Sequence, residues 1–322
     1  MMKNTMLYKG LRLAKRKSRN YLADQGILNR KFHHFFAKYD PLVNVAKRKA
    51  IYEALLSTVP QNLIKIVDEL EQKGYAFLNF ADLGIQETEV LSYCTQLMQT
   101  FQQRAATTPE YLNTLEQGIY AGKTISYRIY QKEQAHDPLA ALALHDNLIK
   151  IATLYIKYLP LIEETSFVYN PVHEGQQFGS QLWHCDSQQE RILKLFFSPM
   201  EITRDNGPFE FYPPTLSTTR FYQNLPEGMT DAQIEAAGLD LNCAIPFLAK
   251  PSQCILVDTV RCLHRGGMTK KPRFTNTISY SSPLYSFSRK QYRQTGTYRF
   301  SFETFKAENE QLLKQYQMHL SS

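Results

Sequence analysis

The stretch SQLWHCDSQQERILKLFFSP, residues 180–199, reads as two short strands around a polar break. In the first, His184 and Asp186 stand two apart, which in a strand places both side chains on one face and Cys185 on the other. In the second, Lys194 alternates with apolar neighbours, and an inward-facing lysine there would need an anionic partner.

Working outward, the same rhythm recurs. SFVYN (166–170), GPFEFYP (207–213), QCILVDT (253–259) and RFTNTISYSS (273–282) are rich in β-branched and aromatic residues and separated by Gly, Pro, Asn and Asp. Upstream the period changes. LIKIVDELEQKGYAFLNF (63–80) reads as an amphipathic helix ended by Gly74, followed by a strand over 75–80. Further helices are expected over 87–107 and 139–160. Thr230, with Gln233 three residues on, marks a helix start inside an insertion over 213–251. Helices first and then short strands, without a βαβ alternation, give an α+β chain: an antiparallel sandwich with helices outside. No glycine-rich phosphate loop is present in the sequence.

Three parts are expected: a basic helical arm over 1–59, a main domain over 60–300, and a charged C-terminal helix over 301–322. The first 50 residues hold thirteen Lys or Arg against two Asp, a net of +11, whereas the remaining 272 hold 24 against 28, a net of −4. Basic clusters lie at residues 15–19 and 47–49. Such an arm either packs on the main domain with a solvated face or docks an acidic partner, an anionic substrate or a membrane surface. No nucleic-acid motif accompanies it. The five cysteines (Cys94, Cys185, Cys243, Cys254, Cys262) form no C-x-x-C pair, which argues against a disulfide framework or zinc knuckle and for a reducing, cytoplasmic setting. The N-terminus lacks the apolar core of a secretory signal, and no apolar run is long enough to span a membrane.

Redox-active iron asks for neutral imidazoles and a hard carboxylate on one side, with positions left open. His184 and Asp186 supply two such donors, and His264, followed by Gly266 and Gly267, is the best third. Arg273, nine residues beyond His264, opens the next strand and could clamp a dicarboxylate in two-pronged fashion, with Lys270 and Lys271 as alternatives. His173 reads as a loop or pocket-rim residue; Tyr127 and Arg128 read equally as core or as pocket lining.

In order along the chain, KGYAFLNF, WHCD, RILKLFFSPMEITRDNGPFEFYPPT and SQCILVDTVRCLHRGGMTKKPRFT resemble the phytanoyl-CoA dioxygenase family of iron(II)/2-oxoglutarate-dependent oxygenases, over roughly residues 60 to 290. The resemblance implies a double-stranded β-helix (a jelly-roll, cupin-like sandwich) with flanking helices. It also implies iron(II) held by His184, Asp186 and His264, and 2-oxoglutarate held by Arg273 as co-substrate. Where the family has PGSH this chain reads PPTL, and it has Gly266 in place of a small hydroxyl and Ser252-Gln253 in place of Gly-Asp. Halogenating relatives lack the carboxylate, so Asp186 implies hydroxylation or another oxidation. The implied substrate is a small molecule, anionic or carrier-tethered if the basic arm takes part. Two rival readings share these residues: a cupin-like metal-dependent isomerase or hydrolase, and a non-catalytic metal-stabilised binding module.

Overall fold

A computed structural model describes residues 44–108, 110–120, 123–130, 137–186, 191–216, 228–284 and 302–317. Ten strands are present among them: β1 Tyr75–Asn79, β2 Glu116–Tyr120, β3 Lys123–Arg128, β4 Leu161–Asn170, β5 Ile192–Phe197, β6 Phe209–Tyr212, β7 Ile245–Pro246, β8 Gln253–Asp258, β9 Leu263–Gly266 and β10 Arg273–Ser281. Two antiparallel sheets result, one in the order β1-β8-β5-β10-β4-β3-β2 and a smaller one in the order β7-β6-β9. A bridge between His184 and His264 adds the 183–184 segment to the small sheet beside β9. From β4 onward the chain switches repeatedly between the sheets: β4 large, 183–184 small, β5 large, β6 and β7 small, β8 large, β9 small, β10 large. That alternation is a double-stranded β-helix with helices on the outside of the large sheet.

The two-residue period sorts the large sheet's side chains. Leu193, Leu195 and Phe197 of β5, Cys254 and Leu256 of β8, and Phe274, Ile278 and Tyr280 of β10 join the core shared with the helices. The helices Gln61–Lys73, Glu87–Thr107 and Asp146–Ile156 supply most of its other wall. The opposite residues, Phe196 of β5 with Ile255 and Val257 of β8, face the small sheet and pack with Phe211 and Phe247. Lys194 belongs to this inner row, since it is two residues from Phe196.

Helix Gln61–Lys73 ends as its sequence predicts, at Gly74 with φ +81, whose N–H donates to Leu70 O at 2.8 Å. The single helix expected over 139–160 is two, Pro138–Ala143 and Asp146–Ile156. His145 turns extended (ψ 129) between them, and Asp146 in the next first turn suits a new helix N-terminus. The strand expected through SQLWHCD is a 3-10 turn, Gly179–Gln181, followed by two isolated bridges. The apolar run that leads to His264 is not one strand: β8 stops at Asp258, whose carboxylate accepts from Val260 N at 2.9 Å and Arg261 N at 3.2 Å, and β9 starts in the other sheet. Strand β4 begins at Leu161, five residues earlier than expected, and the hairpin partner β2 was not anticipated.

Helix Asp231–Ala236 starts at the Thr230 capping box. The segment around it is built into the small sheet through the Met229–Trp183 bridge and β7. Basic cluster 15–19 lies outside the described residues. In the 47–49 cluster, Arg48 is fully buried in helix Val45–Leu55, and its Nη1 donates to Pro160 O at 2.5 Å and Leu159 O at 3.3 Å. The C-terminal helix Phe302–Gln317 docks on β4 through Asn309, which bonds both the N–H and the carbonyl of Ile162.

Gly207, at φ +63 just before β6, is the tightest backbone position near the small sheet. An added Cβ would lie 2.4 Å from Gly267 O and 2.5 Å from Met268 O. Gly207→Ala is therefore expected to cost about 2 kcal/mol or more, from the left-handed backbone and the carbonyl clash together. Gly175→Ala, with φ +100 and open space, should cost roughly 1 kcal/mol. Urea unfolding of the two variants checks the order.

Candidate metal centre

The Trp183–Cys185 segment is held by its tryptophan. Trp183 is fully buried with Tyr212, Met229, Ile234 and Leu263, and its Nε1 donates to Asp231 Oδ1 at 2.8 Å. Arg265 lies over the indole at 4.4 Å, pairs with Glu210 at 2.7 Å through Nη2, and also pairs with Asp231. Residue 184 thus enters the site in a defined direction. His184 N donates to His264 O at 2.9 Å and His264 N to His184 O at 2.8 Å, so the two histidines form a directly opposed antiparallel pair. Their ring centroids are 4.3 Å apart. Asp186 follows, tied by its N–H to Thr259 O at 2.9 Å at the end of β8.

One donor atom from each of His184, Asp186 and His264 lies within 4.8 Å of the others. Both rings use Nδ1 on a carbonyl two residues back: His184 donates to Leu182 O at 2.7 Å and His264 to Cys262 O at 2.9 Å. Both Nδ1 atoms therefore carry the proton, which leaves each Nε2 lone pair for a metal. His264 is pushed down to about 3, by burial first and then by the neighbouring His184, so it stays neutral. Burial works to raise the Asp186 carboxyl, but the adjacent Lys194 ammonium outweighs it and leads the effects that hold it well below the usual range. Lys194 Nζ sits 2.7 Å from Asp186 Oδ2. The anionic partner that its sequence position called for is thus Asp186 itself. Two imidazoles and one carboxylate form the donor set of a facial triad.

Cys185 points away into the Trp183 cluster, and burial raises its thiol to about 12, so it offers no thiolate. Arg273 opens β10 and lies beside the small sheet: an added Cβ on Gly266 would come within 2.9 Å of its Nη2. Glycine at 266 is what makes room for the guanidinium. Its bonds run to Asn170 Oδ1 at 3.1 Å and Asn206 O at 3.5 Å, both neutral oxygens. Burial lowers it to about 10 despite Glu210 nearby. Lys270 and Lys271, the alternatives, are exposed, and Lys271 pairs with Asp205 at 3.1 Å. His173 stands in a loop with Nε2 on Gln176 O at 3.1 Å, apart from the triad. Arg128 bridges Glu164 at 2.8 Å and Glu116 at 3.4 Å, while the Tyr127 ring sits 6.2 Å from Tyr169.

Sequence reasoning missed the supports of the centre. Beneath the β8–β9 turn, Tyr155 donates to Asp258 Oδ2 at 2.6 Å, Arg261 Nη1 reaches Tyr155 at 3.1 Å, and Arg191 pairs with Glu71 at 2.6 Å. The Glu210–Arg265 contact follows from their opposed register in β6 and β9, which no local pattern reveals.

The strand order and the clustered donors define a double-stranded β-helix protein carrying a two-histidine, one-carboxylate cluster. No protein-family model and no curated protein sequence matches this chain. Solved structures do. The epimerase SnoN in complex with Fe3+, alpha ketoglutarate and nogalamycin RO is 13% identical over 70% of this chain and 85% of its own, with a TM-score of 0.49. AviO1 from Streptomyces viridochromogenes Tue57 is 15% identical over 70% of this chain and 97% of its own, with a TM-score of 0.49. EctD from S. alaskensis with bound Fe is 20% identical over 68% and 76%, with a TM-score of 0.46. No helix among the described residues is long and apolar enough to cross a membrane.

Proposed function

We propose that the protein is an iron(II)/2-oxoglutarate-dependent dioxygenase of the phytanoyl-CoA dioxygenase type that hydroxylates a small organic substrate. The observation that carries this reading is the pairing of two features: a triad whose imidazoles are locked with Nε2 outward, and a half-buried guanidinium whose hydrogen bonds among the described residues run to neutral oxygens. The donors fit iron(II), because they combine borderline nitrogen with hard oxygen and cover one side of an ion. His184, Asp186 and His264 would hold the metal, and Arg273 the distal carboxylate of 2-oxoglutarate. When bound, the pair supplies dioxygen activation driven by decarboxylation of 2-oxoglutarate to succinate and carbon dioxide.

The chain's own work is positional. The carbonyls of Leu182 and Cys262 fix both ring orientations, and the cross-strand bonds between residues 184 and 264 fix their separation. Phe209, stacked on Phe196 and 5.4 Å from the His264 ring, lines the inner face with Phe211 and keeps water from that side. Asp186 fills the position that a halide would need, which favours hydroxylation.

Anaerobic addition of iron(II) and then 2-oxoglutarate is expected to raise the weak visible charge-transfer band of the chelate, and oxygen should then release succinate. A band absent from wild type, or surviving in His184→Ala, would sink the assignment.

A further inference from the structure

The triad's carboxylate is paired at Oδ2 with a lysine from the barrel's inner face. Lys194 of β5 pairs in register with Ser279 of β10, which pairs in turn with Glu164 of β4. Lysine, serine and glutamate therefore form one row across three neighbouring strands, with Asp186 above the lysine end. Glu164 is already bridged by Arg128 at 2.8 Å, so its charge is shared between that arginine and Lys194. Among the described residues, the Lys194 ammonium thus lies 2.7 Å from the triad's carboxylate, and the Arg273 guanidinium lies beside Gly266, two residues beyond His264.

This balance has a consequence for ligands. A divalent cation placed on the triad would stand close to the Lys194 ammonium, and like charges in a sheltered interior repel strongly. A dianionic co-ligand beside the metal would relieve that repulsion and use Lys194 and Arg273 together.

We propose that Lys194 is a positioning residue that sets the charge of the centre, so that a divalent cation binds weakly alone and tightly together with a dianionic 2-oxo acid. The inference rests on the metal-site reading above. It goes further by naming the side chain that couples the two ligands, a coupling that must be reciprocal.

The test uses the full chain and Mn(II), followed by the loss of its free-ion EPR signal, with and without saturating 2-oxoglutarate and without oxygen. Wild type is expected to bind Mn(II) about tenfold or more tightly when 2-oxoglutarate is present. Lys194→Met is expected to bind Mn(II) alone about tenfold more tightly than wild type, and to lose most of the 2-oxoglutarate effect. Lys194→Arg, which keeps the charge, should behave like wild type. Lys194→Gln, which keeps a hydrogen bond without the charge, should follow Lys194→Met, and it serves as the neutral variant if Lys194→Met does not fold. Neutral variants that bind Mn(II) as wild type does, or more weakly, or that retain the full 2-oxoglutarate effect, would overturn the role of Lys194. A wild type that binds no Mn(II) under either condition would instead overturn the metal site, a separate result.

Discussion

His264→Ala is expected to abolish turnover and to weaken divalent-metal binding by more than about 100-fold, while leaving the fold in place. Loss of partners that merely orient a ligand costs roughly 10- to 100-fold in metal affinity, so loss of a ligand itself should exceed that range. The fold survives because the two bonds that join strand β9 to residue 184 are backbone bonds, 2.8 and 2.9 Å, and need no imidazole. Phe209 loses its neighbour at 5.4 Å, a packing loss of about 1 kcal/mol. Mn(II) titration together with thermal unfolding separates the two effects. Metal affinity within about threefold of wild type would remove His264 from the ligand set.

Arg273→Met should show opposite signs in binding and stability. The guanidinium is half-buried against two neutral oxygens, and desolvation lowers it to about 10. Replacing a half-buried cation whose hydrogen bonds among the described residues run to neutral oxygens with an apolar side chain of similar length should stabilise the ligand-free protein, by about 1 kcal/mol. The same change removes two charge-assisted bonds to the co-substrate, worth about 1.5–3 kcal/mol each, so 2-oxoglutarate affinity is expected to fall by at least about 100-fold. Thermal unfolding with and without 2-oxoglutarate reads both: a raised midpoint alone, and no further rise when 2-oxoglutarate is added. Arg273→Lys should not restore binding, because a single ammonium cannot reproduce the fork that Gly266 leaves room for. Undiminished 2-oxoglutarate affinity in Arg273→Met would remove Arg273 as the clamp, and a wild type that binds no 2-oxoglutarate would favour the isomerase or hydrolase reading.

Deleting residues 1–50 is a poor test of the basic arm, because it removes Arg48, which is fully buried and bonded to the Leu159 and Pro160 carbonyls. A truncation ending before Asn44, whose side chain caps helix Val45–Leu55 at Lys47 N, spares that contact. If the arm draws in an anionic substrate, the shorter chain should show a higher, salt-dependent Michaelis constant, measured against ionic strength.

Elements encoded within a few residues were legible in the sequence. Helices Gln61–Lys73 and Glu87–Thr107 and the Thr230 cap declare themselves through apolar spacing, a terminal glycine and a side-chain cap. The break inside residues 139–160 was not legible, because its apolar residues keep one buried face on both sides of His145. Nor was the break after Asp258. Val257, Val260, Cys262 and Leu263 are all buried and read as one strand, yet they line two different sheets or the turn between them. The Asp258 carboxylate makes that turn, and its other partners, Tyr155 and Arg261, come from a distant helix and from the turn itself.

The residue types of the centre, with their order and spacing, are present in the chain: His184 two before Asp186, His264 ahead of two glycines, Arg273 nine further on. Those types suffice to name the chemistry, because few side chains can serve a hard, redox-active cation and a dicarboxylate together. Their meeting is a property of the folded barrel. His184 and His264 are 80 residues apart in sequence and become direct cross-strand partners because the chain changes sheets at Asp258. Lys194 reaches Asp186, and Arg273 finds space beside Gly266, for the same reason: side-chain neighbours in a sheet are set by strand order and register, which are non-local.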